Sequence, residues 1–95
     1  MDSIPELDLH GLGVKDALRT VREFLEISQR QGLLRVAVIF GKGKGSPGGR
    51  GILREVVPRA MEKDWADLVL SCRRLLDPDG RDKGVEVELK PLEIA

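Results

Sequence analysis

The feature that most constrains the fold is an apolar run that leads into a glycine-rich segment. Residues 33–40 read LLRVAVIF, with one polar residue in eight and three β-branched side chains. Such a run is typical of a strand that is buried on both faces of a sheet. Residues 41–51 then read GKGKGSPGGRG, and their six glycines and one proline predict a loop. The sequence therefore predicts a central strand that ends in a loop with very little side-chain bulk.

Two segments with helical spacing of apolar residues flank this strand and loop. Residues 14–27 and 52–65 each place their apolar side chains along one stripe. Gly32 is expected to mark the stop after the first helix. Pro58 lies inside the second segment, and an interior proline removes one backbone hydrogen bond. We therefore expect a kink at Pro58 or a helix that restarts there.

Three further segments have the character of strands. In LDLHG (7–11), Leu7 and Leu9 alternate with Asp8 and His10, so a strand would place the carboxylate and the imidazole on one face. Residues 67–72 and 85–90 also predict strands, separated by a turn-rich connection at 76–84. The order β-α-β-α-β-β predicts an α/β two-layer sandwich, with two helices against a mixed four-stranded sheet. We expect a single domain over residues 1–95, with its core at about 6–90.

The predicted topology places the polar pair beside the glycine loop. Two parallel strands joined by a helix have their carboxyl ends at one sheet edge, where open α/β sheets bind ligands. Backbone N–H groups of a glycine-rich loop can approach an anion closely. The chain has zero net charge, but residues 41–59 carry +4, which indicates a localised anion site. The expected phosphate-binding residues are Gly41, Lys42, Gly43, Lys44, Ser46, Arg50 and Arg54.

The glycine-rich segment can also be compared with two nucleotide-binding motifs and with an ordinary loop. A phosphate-binding P-loop requires G-x-x-x-x-G-K-[ST], whereas Lys42 and Lys44 are each followed by glycine. Gly43, Gly45 and Gly48 satisfy G-x-G-x-x-G, but they follow the second strand and the chain is short for a dinucleotide-binding domain. The simplest alternative is a solvated loop, with a strand-end histidine hydrogen-bonded to a loop carbonyl.

Composition excludes several classes of site. One histidine and one cysteine, Cys72, cannot form a His/Cys metal cluster or an internal disulfide, so we expect a reducing, cytoplasmic environment. No apolar run approaches the ~18 residues of a membrane span, and no signal-sequence pattern is present. Phe24, Phe40 and Trp65 occupy apolar positions and are expected in the core. Without an aromatic stacking platform, any nucleic acid would be recognised through its backbone and shape.

The whole pattern resembles the Smr (small MutS-related) domain family. The resemblance is carried by LDLHG, by GKG with SPGG and ILR, and by the closing DKGVEVELK, over roughly residues 6–90. It implies a fold similar to the C-terminal domain of translation initiation factor 3. It also implies nicking of DNA or cleavage of RNA, including messenger RNA on stalled ribosomes, with ribosomal or repair partners. Asp8 and His10 carry over as the catalytic motif, and Gly41, Lys42 and Gly43 as the loop on the phosphate side.

The chain departs from the family pattern at one point. Many members have a second histidine just before the G-x-G or just before the loop serine, where this chain has Phe40 and Gly45. Ser46 is kept. Two function classes therefore stay open: a structure-recognising endonuclease, and a nucleic-acid-binding module without cleavage.

The residues suggest how cleavage would proceed. Histidine is the side chain suited to proton transfer near neutral pH, so His10 is the expected base for a 2′-hydroxyl of RNA. Lys42, Lys44 and backbone N–H groups would stabilise charge on the phosphate. This RNA reaction needs no cofactor, whereas hydrolysis could use one Mg²⁺ held by Asp8 and substrate phosphate. We expect the protein to act as a monomer.

Overall fold

The elements follow the predicted order. The structure is a computed structural model that describes residues 4–40, 49–80 and 82–92. The strands and helices are β1 (Glu6–Asp8), α1 (Val14–Arg30), β2 (Arg35–Ile39), α2 (Gly49–Glu62), β3 (Val69–Leu76) and β4 (Asp82–Leu89). The predicted α/β fold, with a mixed four-stranded sheet and two helices, is confirmed.

The four strands form one sheet in the order β1-β2-β4-β3. β1 and β2 are parallel, as the right-handed crossover through α1 requires, and Asp8 lies opposite Ile39. β4 pairs with β2 and with β3 in antiparallel fashion. The last strand in sequence therefore lies between β2 and β3, and β3 is an edge strand.

Both helices pack on the same face of this sheet. Ala17, Val21 and Leu25 of α1 and Leu53 and Val57 of α2 are buried in a single core cluster. That cluster includes the sheet residues whose side chains alternate toward the helices, namely Val36, Val38, Val85, Val87 and Leu89. The molecule is thus a two-layer sandwich, and the other face of its sheet bears polar side chains.

The first strand is shorter than predicted. β1 ends at Asp8, and His10 lies in the following turn instead of sharing a strand face with Asp8. The Leu12 N–H donates to the Leu9 carbonyl at 3.0 Å, and Gly11 has φ +81°. A four-residue turn with a left-handed third residue is of type II, which strongly favours glycine at that position. The glycine therefore ends the strand two residues earlier than the alternation suggested.

The two last strands also differ from their predicted bounds. β3 extends to Leu76 and β4 begins at Asp82, so the connection is shorter than the predicted 76–84. The two strands continue to pair through Leu76 and Asp82, across the bulge next to Leu75. Pairing between neighbouring strands stabilises these residues in extended form, although the local sequence is typical of turns.

The second helix begins earlier and ends earlier than predicted. It starts at Gly49, within the segment expected to be a loop, because the first turn of a helix tolerates glycine better than its interior does. It continues through Pro58 as one helix and does not restart there. It ends at Glu62, so Trp65 lies in the turn that follows. The Trp65 N–H donates to the Ala60 carbonyl at 2.8 Å, and the indole is buried in the core.

Candidate functional site

Asp8 and His10 lie at the carboxyl edge of the parallel strand pair. The Leu9 N–H donates to the Ile39 carbonyl at 2.8 Å, so the chain after β1 stays beside the end of β2. Both Asp8 and His10 are exposed. In sequence, the glycine-rich segment begins directly after Phe40, which ends the described part of this strand region. The parallel register therefore places the polar pair next to the point where the glycine-rich segment begins.

The Asp8 carboxylate stabilises the turn that carries His10. The His10 backbone N–H donates to Asp8 Oδ1 at 2.9 Å. The contact is to the backbone of His10, so the carboxylate orients the residue and does not hold its ring. In the described part of the chain the imidazole has no hydrogen-bond partner. The alternative of a histidine fixed by a carbonyl of the glycine-rich loop concerns residues outside the described ranges.

The other predicted site residues fall in two groups. Gly41, Lys42, Gly43, Lys44 and Ser46 lie outside the described residues. Arg50 is in the first turn of α2, and its side chain is also outside them. Arg54, one turn further along, is exposed and lines a groove of about 690 Å³. Of the predicted cations, Arg54 is therefore the one whose position the structure defines.

This groove runs between α2 on one side and β3 and β4 on the other, and we call it the α2–β3 groove. Phe40, Asp82 and Gly84 line the part closest to the carboxyl edge. Its cationic lining consists of Arg54, Arg59, Lys63, Arg73 and Arg74, and its acidic lining of Glu55, Glu62 and Asp82. The groove is therefore continuous with the edge that holds the start of the glycine-rich segment, and its lining is net basic.

Arg73 and Arg74 were not among the predicted site residues. The predicted third strand ended at residue 72, whereas the pairing with β4 continues beyond it, and Arg74 lies opposite Val85. Val85 is a core residue on the helix-covered face, so Arg74 belongs to the same face as α2. Only the strand register, which the local sequence does not reveal, brings Arg74 opposite the cations of α2, while Arg73 pairs with Glu86 on the open face.

Cys72 also lines the groove and is half-buried. Burial raises the pKa of its thiol, and the nearby Glu62 carboxylate raises it further. A raised pKa keeps the thiol protonated, and it is the thiolate that acts as a nucleophile. Cys72 is therefore a packing residue here, close to the small apolar role expected from sequence.

Several charged residues elsewhere are bound to one another. Arg22 of α1 donates from both terminal nitrogens to the Asp67 carboxylate, each at 3.2 Å, and from Nε to Glu26 at 3.0 Å. On the open face of the sheet, Glu86 accepts from Arg35 at 3.3 Å and from Arg73 at 3.4 Å. These contacts join secondary-structure elements, and their charges are already paired.

The described residues offer no preformed metal site. No group of three or more histidine, cysteine, aspartate or glutamate side chains within them is arranged to hold an ion. Asp8 stands alone at the edge, and one of its oxygens already accepts the His10 N–H. A Mg²⁺ ion there would depend on water and substrate phosphate for most of its ligands. Within the described ranges, no helix is long and apolar enough to cross a membrane.

Comparison with known proteins gives consistent relatives. The Smr domain family profile matches residues 7–90. A protein from Symbiobacterium thermophilum named Endonuclease MutS2 is 42% identical over 60 residues, which is 63% of this chain and 7% of that protein. Endonuclease MutS2 from Pelotomaculum thermopropionicum is 50% identical over 42 residues, which is 44% of this chain and 5% of that protein. The chain thus corresponds to a small part of each of these relatives.

A solved structure shows the same architecture. The crystal structure of the Smr domain of Thermus thermophilus MutS2 superposes with a TM-score of 0.74 and 31% sequence identity. The match covers 93% of this chain and 100% of the other. With the profile match over almost the whole described sequence, these findings establish that the chain belongs to the Smr domain family.

Proposed function

We propose that the chain binds nucleic acid and cleaves its phosphodiester backbone at the carboxyl edge, with Asp8 and His10 as the catalytic pair. The observation that carries the proposal is the parallel register of β1 and β2. It places an exposed imidazole and a carboxylate beside the end of β2, where the glycine-rich segment begins. The names of two relatives, both endonucleases, support the reaction class.

The proposed reaction on RNA needs one base and a source of positive charge. His10 takes the proton of a 2′-hydroxyl while that oxygen attacks the adjacent phosphorus. The bond from phosphorus to the 5′-oxygen breaks, which leaves a cyclic 2′,3′-phosphate upstream and a 5′-hydroxyl downstream. A lysine ammonium or water protonates the leaving oxygen. Lys42, Lys44 and glycine N–H groups are the proposed stabilisers of the extra charge on the phosphate.

Asp8 has a positioning role in this proposal. Its carboxylate holds the His10 N–H and so fixes the turn that presents the ring. A carboxylate is also a stronger acceptor for this N–H than an amide oxygen is. Removing the charge while keeping the shape, as in Asp8→Asn, should therefore reduce the rate without abolishing it.

A nucleic-acid-binding module without cleavage is the second candidate. The observation in its favour is Phe40, which occupies a position where many family members have their second histidine. The Phe40 side chain is 3% exposed and belongs to the core, so it supplies no proton at the edge. If a second imidazole is essential for protonating the leaving oxygen, this chain would bind and not cut.

The test is an incubation of the purified protein with matched single-stranded RNA and DNA, with Mg²⁺ or with EDTA. We expect RNA cleavage that survives EDTA, with cyclic phosphate ends on the upstream fragments. His10→Ala should abolish cleavage and leave the binding constant nearly unchanged, because the ring acts mainly in proton transfer. Lys15→Ala, an exposed cation on α1 without a described partner, serves as the control and should cleave normally.

The alternatives give different results in the same experiment. A metal-dependent hydrolase would lose activity in EDTA, cut DNA as well, and depend on Asp8 at least as strongly as on His10. Binding without cleavage under every condition would identify the second candidate. If neither RNA nor DNA binds, the proposal is wrong in both forms.

A further inference from the structure

We infer that the α2–β3 groove binds the phosphate backbone of a single nucleic-acid strand and leads that strand to the Asp8/His10 edge. The inference rests on the proposed function, and it adds residues outside the glycine-rich segment to the binding surface. Its cationic wall combines Arg59 and Lys63 near the end of α2 with Arg74 on β3.

Three of the four arginines that line this groove have no partner among the described residues. Eight arginine side chains are described, and five of them donate to a carboxylate or a backbone carbonyl. The other three have no such partner within the described ranges, and all three line the groove: Arg54, Arg59 and Arg74. An arginine carries five N–H donors in a planar fork that matches phosphate oxygens. The unpaired arginines are therefore concentrated on the one surface where an anion could bind all of them.

The lining of the α2–β3 groove carries an excess of positive charge. The lining has five cations against three carboxylates, although the chain as a whole is neutral. Arg73 is partly neutralised by Glu86 on the open face, at 3.4 Å, but the three unpaired arginines are not. A concave surface with excess positive charge concentrates anions through its electrostatic field. Charge complementarity thus selects a polyanion as the occupant.

The α2–β3 groove also has a suitable size. A volume of about 690 Å³ lies within the range of roughly 300–1,000 Å³ that is usual for small-ligand sites. α2 forms one wall and β3 and β4 form the other, and a volume of this size corresponds to a short stretch of single strand. The lining has no exposed aromatic ring, since Phe40 is buried, so contacts would be with phosphates and not with stacked bases. Binding should therefore be independent of base sequence.

The α2–β3 groove also lies close to the Asp8/His10 edge. Asp8, Ile39, Gly84 and Leu75 form one row across the four strands, and Arg74 lies one residue away from that row on β3. Neighbouring strands are about 4.8 Å apart, so three spacings place Arg74 roughly 15 Å from Asp8 across the sheet. A few nucleotides of single strand span that distance. Asp8 lies opposite Ile39, on the face away from the helices, so a strand in the groove would reach the candidate catalytic pair around the carboxyl edge of the sheet.

The test is the salt dependence of binding for the double variant Arg59→Ala with Arg74→Ala. Both residues are exposed and unpaired, so the variant should fold like the wild type, which circular dichroism checks. Binding of a fluorescent single-stranded RNA is measured by anisotropy between low and moderate salt. If both arginines contact phosphates, the slope of log K against log salt should become shallower by about 1.4, at about 0.7 per contact for single strands. The loss of affinity should be equal for RNAs of different sequence.

The matched control removes two positive charges elsewhere. Arg30→Ala with Arg35→Ala changes the end of α1 and the start of β2, at the opposite edge of the sheet. This control should keep the wild-type slope. A wild-type protein that binds RNA, with equal slopes in both double variants and the wild type, would overturn the groove and leave the proposed function standing. Equal loss in both double variants would also overturn it, since the effect would then be one of net charge. A wild-type protein that binds no nucleic acid would overturn both.

Discussion

At the scale of single residues, His10 lies in a turn whose next residue, Gly11, has φ +81°. His10 stood out because it is the one histidine and lies between a strand pattern and glycines. The alternation of Leu7 and Leu9 could not reveal the turn that contains His10, because that turn depends on the left-handed conformation of Gly11. Gly84 was noted only as part of the closing DKGVEVELK, and the sequence did not show why this position needs a glycine. Its importance depends on which strand lies beside it, and that is a property of the register.

Gly84 is the position where a side chain would be tolerated least. A Cβ built there would overlap the Val38 carbonyl oxygen and lie 3.0 Å from the Ile39 Cα. Both atoms belong to the backbone of β2, which is a central strand, so they cannot move without disturbing the sheet. Glycine is therefore required by close approach of two backbones and not by its own dihedral angles.

We predict that Gly84→Ala lowers the free energy of unfolding by about 1–3 kcal/mol, the usual cost of overpacking. Urea denaturation followed by circular dichroism measures it. Gly13→Ser is the matched control, because a Cβ there meets nothing and Gly13 caps α1 without a side-chain hydrogen bond. A serine at that position should be neutral or stabilise by about 0.5 kcal/mol. Equal stability of Gly84→Ala and the wild type would contradict the described register of β2 and β4.

At the scale of elements, segments with a strong local apolar pattern were predicted well. The bounds of strands that depend on hydrogen bonding to a neighbouring strand were not. The helical stripe of α1 and the apolar run of β2 are strong local signals. The extension of β3 over Arg73 and Arg74 depends on hydrogen bonding to β4, and a strand with exposed charges lacks the alternation that sequence reasoning needs. For this reason Arg73 and Arg74 of the α2–β3 groove were not predicted from the sequence. The β1–β2 edge was found because a β-α-β crossover fixes its geometry.

One exposed ion pair joins α1 to the turn after α2. Arg22 binds the Asp67 carboxylate with two hydrogen bonds, and this hydrogen bonding holds the pKa of Asp67 below its ordinary value of about 3.8. The folded state therefore holds the Asp67 proton less tightly than the unfolded state does. The stabilisation is present above the unfolded pKa and is lost as the pH falls through the lower pKa of the folded state.

We predict that Asp67→Asn is less stable than the wild type at pH 7 and equally stable in acid below the folded pKa. The difference at pH 7 should be small, because exposed ion pairs are screened by solvent. Urea denaturation at neutral and acidic pH measures it. Asp64→Asn removes the same charge from an exposed residue without a described partner, and it should match the wild type at both pH values. A deficit of Asp67→Asn that persists unchanged in acid would show that the contact is not electrostatic.

At the scale of the whole molecule, function is proposed for one edge and one groove. The helices cover one sheet face, and the charges on the other face are joined by the Arg35–Glu86–Arg73 contacts. The carboxyl edge holds the imidazole of His10, and the groove that extends from it holds Arg54, Arg59 and Arg74, which have no partner among the described residues. The layer architecture and the parallel pair followed from element order, whereas the insertion of β4 between β2 and β3 did not, since sequence order does not fix strand order.

The central claim is that nucleic acid binds at this edge and in this groove. The most direct test is a titration of ¹⁵N-labelled protein with a short single-stranded RNA, followed by the backbone amide signals. We predict saturable shifts at His10, Gly11 and Leu12 and at Arg59 and Arg74, with little change at Arg35 and Glu88 on the open face. Shifts concentrated at Arg35 and Glu88, with none at His10–Leu12, would contradict the account.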